Sequence, residues 1–182
     1  VYKRQHTQLS QNIVAAWLCG ARYIELKTVQ ILDEIEVSKP CIDMEDEGYN
    51  CEWSQELSLE ESFDQYLDAW TLIHLLRRHF SRQDAEPGFI FNMSVGYNFE
   101  GIQSPKMQRF LDRMTDCSND IQDKVNLLLP YIPDINESDI PKSISDNVTL
   151  STMHGCPAEE IEQIGRYLIV ERGLHKTIKL NP

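Results

Sequence analysis

The sequence predicts an α/β fold: a partial (β/α)8 TIM barrel, its N-terminal half, truncated at both ends. Three observations carry this. Helical and strand-like periodicities alternate along the 182 residues, and such alternation builds a parallel sheet with crossover helices. Each strand-like segment has one apolar and one polar face, with a charged or amide side chain near its C-terminal end. At 41% apolar residues the chain can bury a core of its own. Half of a doubly wound sheet meets the same conditions and stays open at this point.

The elements follow in order. Val1-Tyr2-Lys3-Arg4-Gln5 opens the sequence without a Met. Residues 1–5 read as a non-native remnant and are set aside, leaving 6–182 as the barrel fragment. Gln8–Cys19 reads as a helix with Leu9, Ile13, Ala16 and Trp17 at helical spacing, stopped by Gly20. Arg22–Val29 reads as a strand, followed by an acidic connection. Ser62–Phe80 is a helix with Phe63, Tyr66, Leu67, Trp70, Ile73, Leu76 and Phe80 on one stripe, capped by Ser58 or Ser62. Its His74 and His79 are expected at the surface or at an interface. Phe89–Val95 is a strand. Ser104-Pro105 opens a helix with Pro at its first position, and a second helical run reaches Leu129. A proline-rich loop leads to a strand at Asn147–Ser151. Pro157–Arg172 is a helix closed by Gly173, and Lys176–Leu180 is a strand that nears the end of the sequence.

Charge and cysteine usage narrow the function. The net charge is −12, from 29 acids and 17 bases. Between Asp33 and Glu61 lie 11 of those acids and one base, Lys39, so the excess is local. An acidic chain disfavours nucleic acid and anionic membranes as partners. The apolar runs, such as Ile13–Cys19, are too short to span a bilayer. Five cysteines with no CxxC pair suggest a cytoplasmic, reducing setting and no cysteine-ligated cluster here. Asp43–Asn50 has Gly48 in the sixth place of a calcium loop, but Ser54 stands where the twelfth-place Glu belongs. No GxGxxG, Walker A or GxSxG motif occurs.

The polar strand faces hold the chemistry. Glu25 and Lys27 share one face of the first predicted strand, Asn92 and Ser94 of the second, Asn147, Thr149 and Ser151 of the third, and Thr177, Lys179 and Asn181 of the fourth. Inside a barrel these faces converge, and lysines and amides there are costly unless something pairs with them. A bound anionic or heteroaromatic ligand would do so at the C-terminal rim. A half-solvated antiparallel sheet would show the same alternation, but the intervening helices argue against it.

The residues resemble a known family. Gly20-Ala21-Arg22-Tyr23-Ile24-Glu25-Leu26-Lys27-Thr28-Val29 resembles the second strand of dihydroorotate dehydrogenases and of the related dihydropyrimidine dehydrogenase domain. Ile178-Lys179-Leu180-Asn181-Pro182 resembles the family's Ile-Lys-Leu-Pro-Pro strand. The resemblance implies an oxidoreductase barrel with FMN as cofactor, contacted by Lys27, Thr28, Asn92, Thr149 and Lys179. It implies that Asn50, in Gly48-Tyr49-Asn50, and Ser151 face substrate. Glu25–Gln30, Lys39–Met44, Gly48–Asn50 and Met153–Pro157 are closer still to the N-terminal part of subunits described as selenate reductases. Their later domains resemble glutamate synthase small subunits, which implies FAD and 4Fe-4S clusters in downstream domains of the parent chain, and those domains as partners.

The sequence also departs from the family. Thr149-Leu150-Ser151-Thr152 sits where the dehydrogenases have Asn-Leu-Ser-Cys, so Thr152 replaces the catalytic base. A threonine hydroxyl is a poor base without a helper. Cys156 lies four residues on, with His154 near enough to lower its pKa, or else it is a packed cysteine. Thr152 and Cys156 are therefore the catalytic candidates. Two other readings remain open: a flavin-free docking or structural barrel within a large redox complex, and a lyase or aldolase using Lys27 or Lys179 as a Schiff base.

Overall fold

The computed structural model describes residues 2–7, 9–27, 57–80, 88–96, 98–151 and 157–179, with the backbone alone for 2–7 and 151. Five parallel strands stand side by side in the order in which they occur in the chain: β1 (Tyr2–Thr7), β2 (Tyr23–Leu26), β3 (Ile90–Val95), β4 (Asn147–Ser151) and β5 (His175–Lys179). One half of a doubly wound sheet has three strands, and the strand after them lies on the far side of the first. Here five strands run on without reversal, so the barrel reading holds and the doubly wound alternative falls.

The sheet begins before residue 6, where the sequence reading starts the fold. Tyr2 pairs with Tyr23 and Lys3 with Ile24, so residues set aside at the sequence level belong to β1. The order of elements is accordingly strand first.

Helix α1 (Ser10–Leu18) buries Ile13, Ala16 and Trp17. Its first residue finds a cap on another helix: the Ser10 N–H donates to Gln65 Oε1 at 2.8 Å. It stops at Gly20, whose φ of +98° is open to glycine at no steric cost. Helix α2 (Leu59–His79) starts three residues earlier than its apolar stripe suggests. Ser58 and Glu61 form a reciprocal capping box there. Phe63, Tyr66, Leu67, Trp70 and Ile73 are buried, whereas Phe80 lies past the helix end and is exposed.

His74 departs from expectation. It is half-buried, its ring 4.5 Å from that of Trp70 and 5.1 Å from that of Phe89 between centroids. Burial, and secondarily the Arg77 charge, push its pKa down from 6.5 to about 4. His79 is exposed, as expected.

Three helices separate β3 from β4: a short α3 (Phe99–Ile102), then α4 (Pro105–Thr115) and α5 (Ser118–Leu128). Asn98 and Ser104 cap the first two through their side chains, and Pro105 takes the first position of α4. The following loop returns to the sheet. The Ser145 hydroxyl donates to the Phe91 carbonyl at 2.7 Å, and the Ile144 and Ser145 N–H groups donate to the Met114 carbonyl. Helix α6 (Ala158–Arg166) passes into a π-helical turn, Tyr167–Glu171, and the chain reverses through Gly173 with φ +66°. The helices cover the apolar face of the sheet. Ile24, Leu26, Phe91, Met93, Val95, Val148 and Leu150 are all buried on it. No helix among the described residues is long and apolar enough to cross a membrane.

Candidate functional site

Parallel pairing assembles the polar face. Residues in register on neighbouring strands point the same way. Glu25 lies beside Asn92, Ser94 beside Thr149, Thr149 beside Thr177, and Ser151 beside Lys179. Glu25, Asn92, Ser94, Thr149, Thr177 and Lys179 therefore share one face, opposite the apolar one. Glu25, Asn92, Ser94 and Thr149 are buried, Glu25 and Asn92 at only 2% exposure each.

The curvature of the sheet can be read from one contact. Lys179 Nζ lies 4.0 Å from Glu25 Oε1. These residues stand on β5 and β2, three strand spacings apart, or roughly 14 Å along a flat sheet. Both side chains rise from the same face. Their heads meet because the sheet curls, concave towards its polar side, as a barrel wall does. At an effective dielectric near 20, unit charges at this separation attract by about 4 kcal/mol. The Glu25 carboxylate is thus kept inside the fold by a cation that reaches across β3 and β4.

Between them Asn92 is held in one orientation. Its Nδ2 donates to Thr149 Oγ1 at 2.5 Å, which leaves Oδ1 buried with no hydrogen-bond partner. A buried acceptor left unmet costs about 1–3 kcal/mol. Lys27 follows the end of β2. Its carbonyl accepts from the Tyr66 hydroxyl at 3.0 Å, and its ammonium is buried. The face therefore carries one bare carbonyl acceptor, the Lys179 ammonium, a hydroxyl row and one carboxylate, with Lys27 at the end of β2. It lies towards the C-terminal ends of the strands, where barrel enzymes bind their substrates.

Four of the expected residues, Lys27, Asn92, Thr149 and Lys179, fall within the described side chains, and the last three lie on the shared face. Ser151 is placed through its backbone, paired with Lys179. Thr28, Asn50, Thr152 and Cys156 lie outside the described residues. Glu25 is the residue that the sequence reading passed over. Strand alternation already put it on the Lys27 face. What it lacked was any sign of the cation opposite, because Lys179 comes from β5, more than 150 residues along the sequence. No group of three or more His, Cys, Asp or Glu that could hold a metal occurs among the described residues.

A family model described as the N-terminal TIM-barrel domain of oxidoreductase YgfK matches residues 4–182. The chain belongs to this family. Two relatives, the provisionally named oxidoreductases YgfK of Escherichia coli K12 and of Escherichia coli O157:H7, are each 50% identical over 196 residues. That alignment takes in 97% of this chain and 19% of each relative, so the chain spans about a fifth of the length of the curated relatives it matches. No solved structure matches it.

Proposed function

We propose that the chain is the first part of a flavin-binding barrel in a longer oxidoreductase, dihydroorotate dehydrogenase-like in its cofactor contacts. The observation that carries this is the buried Asn92 Oδ1 without a hydrogen-bond partner, set on the same face as Lys179. The face fits a flavin ring, which carries an N–H donor flanked by carbonyl acceptors. Asn92 would accept from the ring, with Thr149 fixing the amide. Lys27 and Lys179 would donate to it, and Thr28 would complete the FMN contacts. When bound, FMN supplies hydride and single-electron transfer. The lysines favour the anionic reduced ring electrostatically and hold it in place. Asn50 and Ser151 would face substrate, with Thr152 or Cys156 moving the proton.

The threonines in the motif that carries asparagine and the catalytic cysteine in dihydroorotate dehydrogenases argue against pyrimidine chemistry and for electron transfer. FAD and 4Fe-4S clusters would sit in downstream domains of the parent protein, its nearest partners, in a cytoplasmic enzyme. The chemistry of the subunits described as selenate reductases would belong to that larger assembly. A second reading has one observation in its favour: Glu25 already meets Lys179, as a flavin-free docking or structural barrel would need.

The test is direct. The longer oxidoreductase is expressed, denatured, and the released cofactor identified and counted. FMN released in proportion to protein, and lost in Lys27→Ala and Lys179→Ala, supports the flavin reading. A folded protein that neither releases nor takes up FMN, or unchanged FMN occupancy in both variants, overturns it and leaves the docking reading.

A further inference from the structure

We propose that Glu25 is a positioning residue for the ligand of this face: its carboxylate tethers Lys179 and sets the positive charge that the ligand meets. This rests on the flavin reading above. The interior of a barrel built for stability alone is filled by branched apolar side chains. Glu25 breaks that rule at a strand position with 2% exposure. The cation that the structure brings to Glu25 is Lys179 from β5; Asn92, Ser94, Thr149 and Thr177 beside them are neutral. Removing the Glu25 carboxylate takes one negative charge from the surroundings of the ligand, which favours a ring that gains negative charge on reduction.

The geometry is that of a tether rather than a closed pair. At 4.0 Å the Lys179 ammonium is attracted by the carboxylate, yet its side chain keeps 20% exposure. An ammonium has three donors, so a carboxylate contact steers Lys179 without using its whole donor capacity. The carboxylate thereby restricts where the Lys179 ammonium sits on the face.

Two measurements on the longer oxidoreductase test this. In the first, the potential of the barrel flavin is titrated in the parent protein, Glu25→Gln and Glu25→Asp. The Gln variant is expected to hold the reduced flavin about tenfold more tightly relative to the oxidised form, a rise of about 30 mV for a two-electron couple. Asp, which keeps the charge, should return the potential at least half-way. An unmoved potential in the Gln variant overturns the charge-setting role. In the second, flavin is stripped and Lys179 is acylated with a pulse of acetic anhydride, read by mass spectrometry against Lys176 in the same sample. Glu25→Gln should raise the Lys179 rate at least fivefold, and an unchanged rate overturns the tether. If the parent protein holds no flavin, the flavin reading fails by itself, and the acylation result alone decides whether Glu25 holds Lys179. If Glu25→Gln does not accumulate, Glu25→Gln/Lys179→Met, which strands no charge, should recover soluble protein. Equal loss in both variants counts against the pairing.

Discussion

Acidification should loosen the packing of α2 on the sheet through His74. In the unfolded chain this ring titrates near 6.5; in the folded protein it titrates near 4 because burial, and then Arg77, disfavour its charged form. The folded state thus binds fewer protons than the unfolded state between these values. The contribution of His74 is complete above pH 6.5, falls as pH drops, and is spent below pH 4. A shift of this size is worth about 3 kcal/mol in full, and about 2 kcal/mol of it is lost by pH 5. That is a large part of a stability of about 5–15 kcal/mol. His74→Phe keeps a ring against Trp70 and Phe89 and has nothing to protonate. Denaturant unfolding at pH 7 and pH 5 should show the wild-type protein losing about 2 kcal/mol more than the variant over that interval. Ring resonances followed by NMR should place the midpoint near 4. A midpoint near 6.5, or equal losses in the two proteins, would refute the reasoning.

Three further outcomes follow from the same contacts. Asn92→Leu removes an unmet acceptor and one hydrogen bond together, so hydrogen exchange of the β3 and β4 amides in flavin-free protein should change by less than about 1.5 kcal/mol, while flavin occupancy collapses; a loss above about 3 kcal/mol would mark Asn92 as structural. Gly165→Ala should be neutral or stabilising by up to about 1 kcal/mol in thermal unfolding, because the new Cβ meets first the mobile end of Lys176, at 1.8 Å from Nζ, rather than backbone. At pH 8 iodoacetamide should alkylate the exposed Cys19 and spare Cys117, whose thiol is buried beside the Lys142 carbonyl and pushed up to about 12 chiefly by that burial; rapid modification of Cys117 in folded protein would contradict this placement.

Much of the fold was legible because it is written in local periodicity. Periodicity places β3, β4 and β5 within a residue of their bounds, and Ser104-Pro105 marks the start of α4. The misses have physical causes. The start of α2 moved to Leu59 because a reciprocal cap outweighs the apolar stripe as a boundary signal. Strand β1 is hidden because residues 1–5 read as foreign to the protein, whereas Tyr2 and Lys3 pair with Tyr23 and Ile24. His74 looked like a surface residue because a helix can turn it towards Phe89 only once β3 is in place. The face itself is readable from alternation alone at Asn92, Thr149 and Lys179. The partnership of Glu25 with Lys179 was not, because it exists only when β2 and β5 are brought together by curvature.

The inner face makes little sense as a stability device. A packed barrel interior gains from every buried methylene, about 0.8 kcal/mol each. This one places a carboxylate and an amide with an unmet oxygen where Leu or Val would pack. The strained inventory is also uneven. On β2, β3 and β4 the opposite side is apolar and buried under the helices, whereas on β5 it carries Lys176 and the exposed Ile178. The buried polar residues Glu25, Asn92, Ser94 and Thr149 all lie on the concave side. Asn92 with its unmet oxygen is costly where it stands. Its place beside Glu25 and Lys179, on three strands that meet through one curved wall, is what the proposed polar ring would require.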